Sequence, residues 1–244
     1  MSLLLQGQKY KTRLTTMVCI AERLQVINEQ IADAERRCSR PVGSVQLIAV
    51  SKTVSVSIIK RAIDSGQYHF AENYVQEGLA KILEINDSRL EWHFIGRVQS
   101  NKAKFIARHF SWVQTVCNEK HVTILDRERP LEMTPLNVCI QLNTSGDATR
   151  SGVHFDEVID LADMISKAKR LKLRGLMCMA PLGASSDELK KVFCRVASLQ
   201  KKMQAAGYPV NTLSMGMSAD FQLAIASGST HVRVGSAIFG ERDQ

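Results

Sequence analysis

A lysine at the end of an apolar run is the first residue of this chain placed where it could do chemistry. The stretch Gln46-Leu-Ile-Ala-Val-Ser-Lys52 is apolar until its last two positions. In an extended segment Ile48, Val50 and Lys52 share one face. A lysine closing a buried strand is costly unless it is paired or neutral. Burial lowers the pKa of an amine, and a neutral amine attacks an aldehyde to give a Schiff base. The position also suits a lysine reaching past a strand mouth to solvent, and the position alone does not choose between these readings.

Two segments near the C-terminus read as anion sites. Ser214-Met-Gly-Met-Ser218 is a small-residue loop that opens a helical stretch, Phe221–Ala226. First-turn amides of a helix are unsatisfied donors at its positive end. Ser218 also reads as an ordinary N-cap. In Gly228-Ser-Thr-His-Val-Arg-Val-Gly-Ser-Ala-Ile-Phe-Gly240 a short strand ends at Gly235–Ser236, and Arg233 shares a strand face with Gly235. An arginine there either joins the anion site or pairs with a carboxylate. Asn73 ends another short strand, and a strand meets a helix at Gln99–Asn101. His93 could be a general base, but its place inside a strand favours a packed, hydrogen-bonded ring. Glu72 has no evident carboxylate partner. No Ser–His–Asp or Cys–His order is supported, and no His cluster stands near the cysteines at metal spacing. Neither a catalytic group nor a metal ligand set is therefore expected.

The elements that must position these residues alternate. An opening helix is expected from Thr12 to Arg37, with apolar residues at helical spacing. The apolar run Val45–Val50 is followed by candidate strands at Tyr68–Ala71, Glu91–Ile95, Trp112–Thr115, Leu136–Leu142, Leu173–Met177, Thr212–Ser214 and His231–Val234. Helical stretches lie between them at Ser57–Ser65, Val75–Leu83, Asn101–Arg108, Lys120–Arg127, Phe155–Ala168, Glu188–Ala206 and Phe221–Ala226. Such alternation implies parallel strands with right-handed crossovers. Eight units in 244 residues favour a closed (β/α)8 TIM-type barrel over an open sheet. The expected organisation is one domain over residues 1–244, with a barrel at 45–241 and the helix of residues 1–40 packed outside it or over one end. The working face of such a barrel lies at the C-terminal ends of its strands, and a phosphate site often forms from the loops after strands seven and eight. Ser51–Lys52, Glu72–Asn73, Gly96, Asn143, Ser214 with its loop, and Gly235–Ser236 all fall at that face.

Composition narrows the classes further. No run of about 18 apolar residues occurs, so no membrane helix is expected. Met1–Tyr10 lacks the charged lead and cleavage site of a signal peptide. The six cysteines include no C-x-x-C pair, and Cys139 and Cys178 sit in apolar runs, which fits a reducing cytoplasm. The net charge of +8 comes from scattered Lys and Arg without aromatic interleaving, so solvated helix faces are expected rather than nucleic-acid binding.

Six motifs in order carry a resemblance. They are Ala49-Val-Ser-Lys-Thr53; Glu72-Asn-Tyr-Val-Gln-Glu-Gly78; His93-Phe-Ile-Gly96 with Gln99-Ser-Asn-Lys102; Gly175-Leu-Met177; Ser214-Met-Gly-Met-Ser218; and Val232-Arg-Val-Gly-Ser-Ala-Ile-Phe-Gly240. Together they resemble the YggS/PROSC family of pyridoxal 5′-phosphate (PLP) homeostasis proteins. The resemblance implies the barrel of the alanine racemase N-terminal domain (fold-type III) with PLP as cofactor. It implies that Lys52 forms the internal aldimine, that Asn73 lies beside the cofactor, and that Arg233 faces the pyridine nitrogen. The Ser214–Ser218 loop, with Met217 in it, and the amides of Gly235 and Ser236 would hold the phosphate. The implied role is binding PLP and passing it to apo-enzymes in vitamin B6 homeostasis, without established turnover and with a monomer as the expected state. The chain departs from the family pattern at Ala71 (usually Gly), Arg97 (usually Pro) and Arg150 (often Lys); the first two bear on pocket shape, and the last on any relay role for an amine there.

Chemistry supports a binder over an enzyme. An acid partner would keep the ring nitrogen protonated and the cofactor a strong electron sink; an arginine can only donate, which leaves that nitrogen unprotonated. Racemisation also needs a second acid/base on the opposite face. An amino-acid racemase remains the alternative reading, with Tyr74, His93 or a partner subunit supplying that group.

Overall fold

The computed structural model describes residues 19–145, 151–181 and 183–240. The expected helical residues 12–18 and Arg150 lie outside them. Eight parallel strands close into a barrel in sequence order. They are β1 (Gln46–Val50), β2 (His69–Glu72), β3 (Glu91–Phe94), β4 (Trp112–Val116), β5 (Leu136–Leu142), β6 (Leu171–Cys178), β7 (Thr212–Ser214) and β8 (His231–Val234). Closure is made by β1 against β8, from Gln46 opposite His231 to Ala49 opposite Val234. The helices are α1 (Ile20–Arg37), α2 (Val56–Asp64), α3 (Val75–Ile85), α4 (Ala103–His109), α5 (Glu119–Glu128), α6 (Val158–Lys167), α7 (Ser186–Ala205), α8 (Phe221–Ala226) and the one-turn α9 (Ser236–Phe239).

Strand alternation sorts side chains into two layers. Leu47 and Ala49 of β1, Phe70 of β2, Trp92 and Phe94 of β3, and Val232 and Val234 of β8 join the apolar layer between barrel and helices. The residues between them face the barrel interior, where Trp112, Cys139 and Met177 form a separate small apolar cluster. The two buried cysteines behave as expected: burial pushes the Cys139 and Cys178 thiols up to about 12.

The opening helix packs outside the barrel, against α2, α8 and α9. Its buried Glu35 locks it to the start of β1, accepting the Gly43 and Val45 amides at 2.9 and 2.7 Å and the Ser44 hydroxyl at 3.0 Å. Arg40 donates to the carbonyls of Ile225 and Ser229 and ties the same end to α8 and the turn before β8. Expected boundaries shift modestly. Strand β6 runs longer than Leu173–Met177 because pairing with β5 continues at both ends, across a register irregularity at Val138/Cys139. Helix α6 starts at Val158 rather than Phe155, since residues 155–157 form turns.

Candidate functional site

Lys52 stands on a turn built to present it. The Ser51 amide extends the ladder to the Ala71 carbonyl at 3.0 Å, and the Val54 amide closes onto the Ser51 carbonyl at 2.9 Å. Between them Thr53 takes φ 61°, a left-handed conformation usually left to Gly or Asn at this place in a turn. That conformation is held from below. The Thr53 amide donates to Glu77 Oε1 at 2.5 Å, and Lys81 Nζ donates to the Ser51 carbonyl, Glu72 Oε1 and Glu77 Oε1 at 2.7, 2.9 and 2.6 Å. Lys52 itself is half-buried and has no hydrogen-bond or ion-pair partner among the described residues.

Glu72 therefore does not line the mouth beside Asn73. It lies fully buried on the helix side of β2, taking the Ser51 hydroxyl at 2.6 Å and the Lys81 ammonium. Its partner is a cation rather than a carboxylate. Burial holds its carboxyl above the usual carboxylate range, against the opposing hydrogen bonds of Ser51 and Lys81. Lys81 and Glu77 escaped the sequence reading. Their i,i+4 spacing marks a helix-surface pair, but the link to Glu72 and the Ser51 carbonyl exists only once α3 packs on β2.

Asn73 follows β2 at the mouth, and its Oδ1 is buried with no protein donor. Gly96 lets the neighbouring chain pass, since a Cβ there would sit 1.9 Å from the Asn73 carbonyl oxygen. The Gly96 carbonyl is fixed in turn by the Thr115 hydroxyl at 2.6 Å. Ala71 is buried in the wall and Arg97 is exposed. Arg97 lines a cavity of ≈ 570 Å³ over the ends of β3, β4 and β5, with Thr115, Cys117, His121, Gln141 and Met179. Lys52, Arg233 and Ser218 do not line that cavity, so the site is defined by its convergent polar groups rather than by that hollow.

Arg233 is buried and forms no ion pair among the described residues. It donates to Ser214 Oγ at 2.6 Å and to the Cys178 carbonyl at 2.9 Å. Ser214 Oγ donates to Gln114 Oε1 at 2.7 Å, and Gln114 Nε2 meets His93 Nδ1 at 3.0 Å. His93 Nε2 meets His69 Nδ1 at 3.3 Å. An arginine only donates; in this arrangement Ser214 donates to Gln114, Gln114 donates to His93, and His93 carries its proton on Nε2. Burial lowers the pKa of His93 well below the ordinary value, so the ring is neutral. The packed reading of His93 holds, and the hydroxyl of Ser214 is spent inside the barrel on Arg233. Gln114 was not foreseen; a glutamine inside Trp112-Val-Gln-Thr-Val116 is the one visible signal.

The two C-terminal loops meet as expected. Gly216 takes φ 95° and has no room for a Cβ, which would lie 2.6 Å from Ala224 Cβ. Its carbonyl accepts the Arg233 amide at 3.0 Å. Ser218 is not the N-cap, because α8 starts later, at Phe221 after Asp220. The Asp220 carboxylate instead accepts the Met217 amide at 2.5 Å. Ser218 Oγ faces the start of α9, 3.4 Å from the Gly235 amide and 3.2 Å from Ser236 Oγ. Ser218, Gly235 and Ser236 thus form one hydroxyl-and-amide cluster beside Arg233, with Met217 half-buried next to it.

A lysine at the end of β1 with no partner among the described residues, and a donor cluster after β7 and β8, are features of one barrel class. The family model described as "Alanine racemase, N-terminal domain" matches residues 23–243. An alanine racemase from Clostridium difficile shares the fold at TM-score 0.73 and 14% identity, covering 91% of this chain and 58% of its own. Similarity is far higher to smaller proteins. A pyridoxal phosphate homeostasis protein of Vibrio cholerae is 47% identical over 93% of this chain and 98% of that one, and its Escherichia coli K12 counterpart is 44% identical over 92% and 97%. The structure of PipY from Synechococcus elongatus with PLP bound has a TM-score of 0.76 at 36% identity, covering 91% of this chain and all of that one. The chain belongs to the family of pyridoxal phosphate homeostasis proteins. Relatives of that family are named as homeostasis proteins, not as enzymes. Among the described residues no helix is long and apolar enough to cross a membrane.

Proposed function

We propose that this chain binds PLP at the barrel mouth through a Schiff base on Lys52 Nζ and serves PLP homeostasis as a carrier without turnover. The observation that carries the reading is Lys52 itself: a half-buried amine without a partner among the described residues, on a turn held rigid by Lys81, Glu72 and Glu77. When bound, PLP supplies an aldehyde that condenses with a lysine amine and releases water. The donor set fits such a group. Ser218 and the Gly235 and Ser236 amides suit a phosphate, since first-turn amides lack intrahelical partners. Asn73 Oδ1, buried without a donor, offers an acceptor beside the ring, and Met217 borders the phosphate loop.

Arg233 is the partner proposed for the ring nitrogen. It can donate but cannot give up its proton, so it keeps that nitrogen unprotonated and the electron sink weak. Ser214 acts through Arg233 as a positioning residue. The proposed protein is a single-domain, cytoplasmic monomer whose recipients are apo PLP-dependent enzymes, with no nucleic-acid or membrane partner.

The test is visible absorbance of protein purified without added cofactor, then borohydride reduction and peptide mapping. A yellow protein with its pyridoxyl group on Lys52 is expected. A colourless protein left unmodified after incubation with PLP would overturn the reading, and sustained racemisation of any amino acid would overturn the carrier role.

A further inference from the structure

We infer that the opposite end of the barrel holds a second site, for one divalent transition-metal ion, formed by His69, Glu91 and His93. The inference does not depend on PLP binding. His69 stands directly across from Glu91 in the β2–β3 register, and His93 is two residues further along the same face of β3. Each offers one ligand atom, and these atoms lie within 4.8 Å of one another. Spacing along the chain hides the set, because strand pairing brings His69 to the other two.

The geometry is that of ligands around a small cation. Two ligands about 2.05 Å from a tetrahedral zinc are separated by roughly 3.3–3.4 Å. His69 Nδ1 and His93 Nε2 match that separation at 3.3 Å, and Glu91 Oε2, which also accepts from Trp112, lies further off, 3.9 Å from His69 Nδ1. Two imidazoles and a carboxylate suit zinc, cobalt, nickel and iron. Burial lowers the pKa of both rings, so they are neutral and ready to ligate. The groups around the ligands hold them in place, as metal sites require. Trp112 Nε1 donates to Glu91 Oε2 at 2.6 Å, and the Trp112 ring stacks on His93 at 5.2 Å. The Glu91 side chain is 46% exposed and that of His69 25%, which leaves a path for an ion and a position for water. Two groups weigh against a cation here: Arg174, which stacks on Trp112 at 5.0 Å, and His231, whose ring also packs on Trp112. His231 is neutral, since burial takes its pKa down to about 3.

Occupancy would rearrange the hydrogen bonds around His93. Without metal, His93 carries its proton on Nε2 and donates it to His69. A cation takes that nitrogen, the proton resides on Nδ1 instead, and the ring stays neutral. The Gln114 amide then turns so that Oε1 accepts from Nδ1 and Nε2 donates to Ser214 Oγ, which accepts from Arg233 as well. A glutamate at position 114 would accept that proton without turning and strengthen the ligand.

Titration with Co2+, followed by visible spectroscopy and calorimetry with Zn2+ as competitor, tests the site. The expected result is one Co2+ per chain, with intense d–d bands to the red of any PLP chromophore, displaced by Zn2+. His69→Ala and Glu91→Gln should each weaken binding at least about tenfold, and Gln114→Glu should tighten it by about tenfold. Circular dichroism of His69→Ala separates lost binding from lost folding. Absent bands, equal affinity in a folded His69→Ala protein, or weaker binding by Gln114→Glu would each overturn the inference.

Discussion

Replacing Lys81 by methionine keeps the stem of the side chain and removes its charge, so it isolates the support beneath Lys52. The Lys81 side chain is 7% exposed and that of Glu72 is 0% exposed. Methionine would leave the Glu72 carboxylate with only the Ser51 hydroxyl, while its Oε2 already lacks a partner. Breaking one side of a buried pair in this way costs about 3–5 kcal/mol, and urea denaturation of Lys81→Met at neutral pH should show that loss. The sign of the pH dependence follows from Glu72. Its carboxyl is already raised by burial, and removing the cation raises it further. An acid whose folded pKa exceeds its unfolded one holds more protons when folded, so its penalty grows as pH rises above the unfolded value and disappears as pH falls. The deficit relative to the parent should therefore shrink on acidification, by up to about 1.4 kcal/mol per pH unit. Glu72→Gln/Lys81→Met, which removes both charges, should recover most of the loss. PLP loading should fall in the single variant, because the Ser51 carbonyl next to Lys52 loses one of its two donors and keeps only the Val54 amide. A deficit below about 1 kcal/mol, or one that does not change with pH, would refute the reasoning.

Other perturbations follow from the same contacts. Gly96→Ala places a Cβ 1.9 Å from the Asn73 carbonyl oxygen; overpacking of this kind costs about 1–3 kcal/mol or more, and both the thermal midpoint and PLP affinity should fall. Gln114→Leu removes the partner of Ser214 and His93; each stranded polar group costs about 1–3 kcal/mol, so calorimetry should show a loss larger than a surface change gives. The folded state resists protonating His93 and His231, both held neutral by burial. Stability should decline as pH falls below about 6.5, because the unfolded chain then binds more protons, and a stability profile that stays flat from pH 7 to 4 would contradict that assignment.

Much of the fold was readable because its signals are local. Each candidate strand from Val45–Val50 to His231–Val234 became a strand, since the layer of a barrel strand that packs under the helices is apolar and marks a short segment between turns. The opening helix was legible from its periodicity, but not its seat on α8 and α9, where Arg40 and Arg23 donate to the Ile225 and Ile238 carbonyls, distant in sequence. Ser218 shows the limit of capping rules. It has the right residue type, yet the helix starts at Phe221 and the hydroxyl faces Gly235 and Ser236 instead.

By itself, the order of residues determined the eight alternating units, the lysine closing the first strand, and the donor-rich loops after the last two, because strand period and turn chemistry act over a few neighbours. Only the closed barrel decided what those residues face. Gln114 and Ser214 stand 100 positions apart, and they meet because β1 pairs with β8 and turns every second side chain toward a shared interior. The same closure buries Arg233 against Ser214, and strand pairing sets His69 against Glu91 and His93. Such contacts come from register between strands, a property no single segment carries.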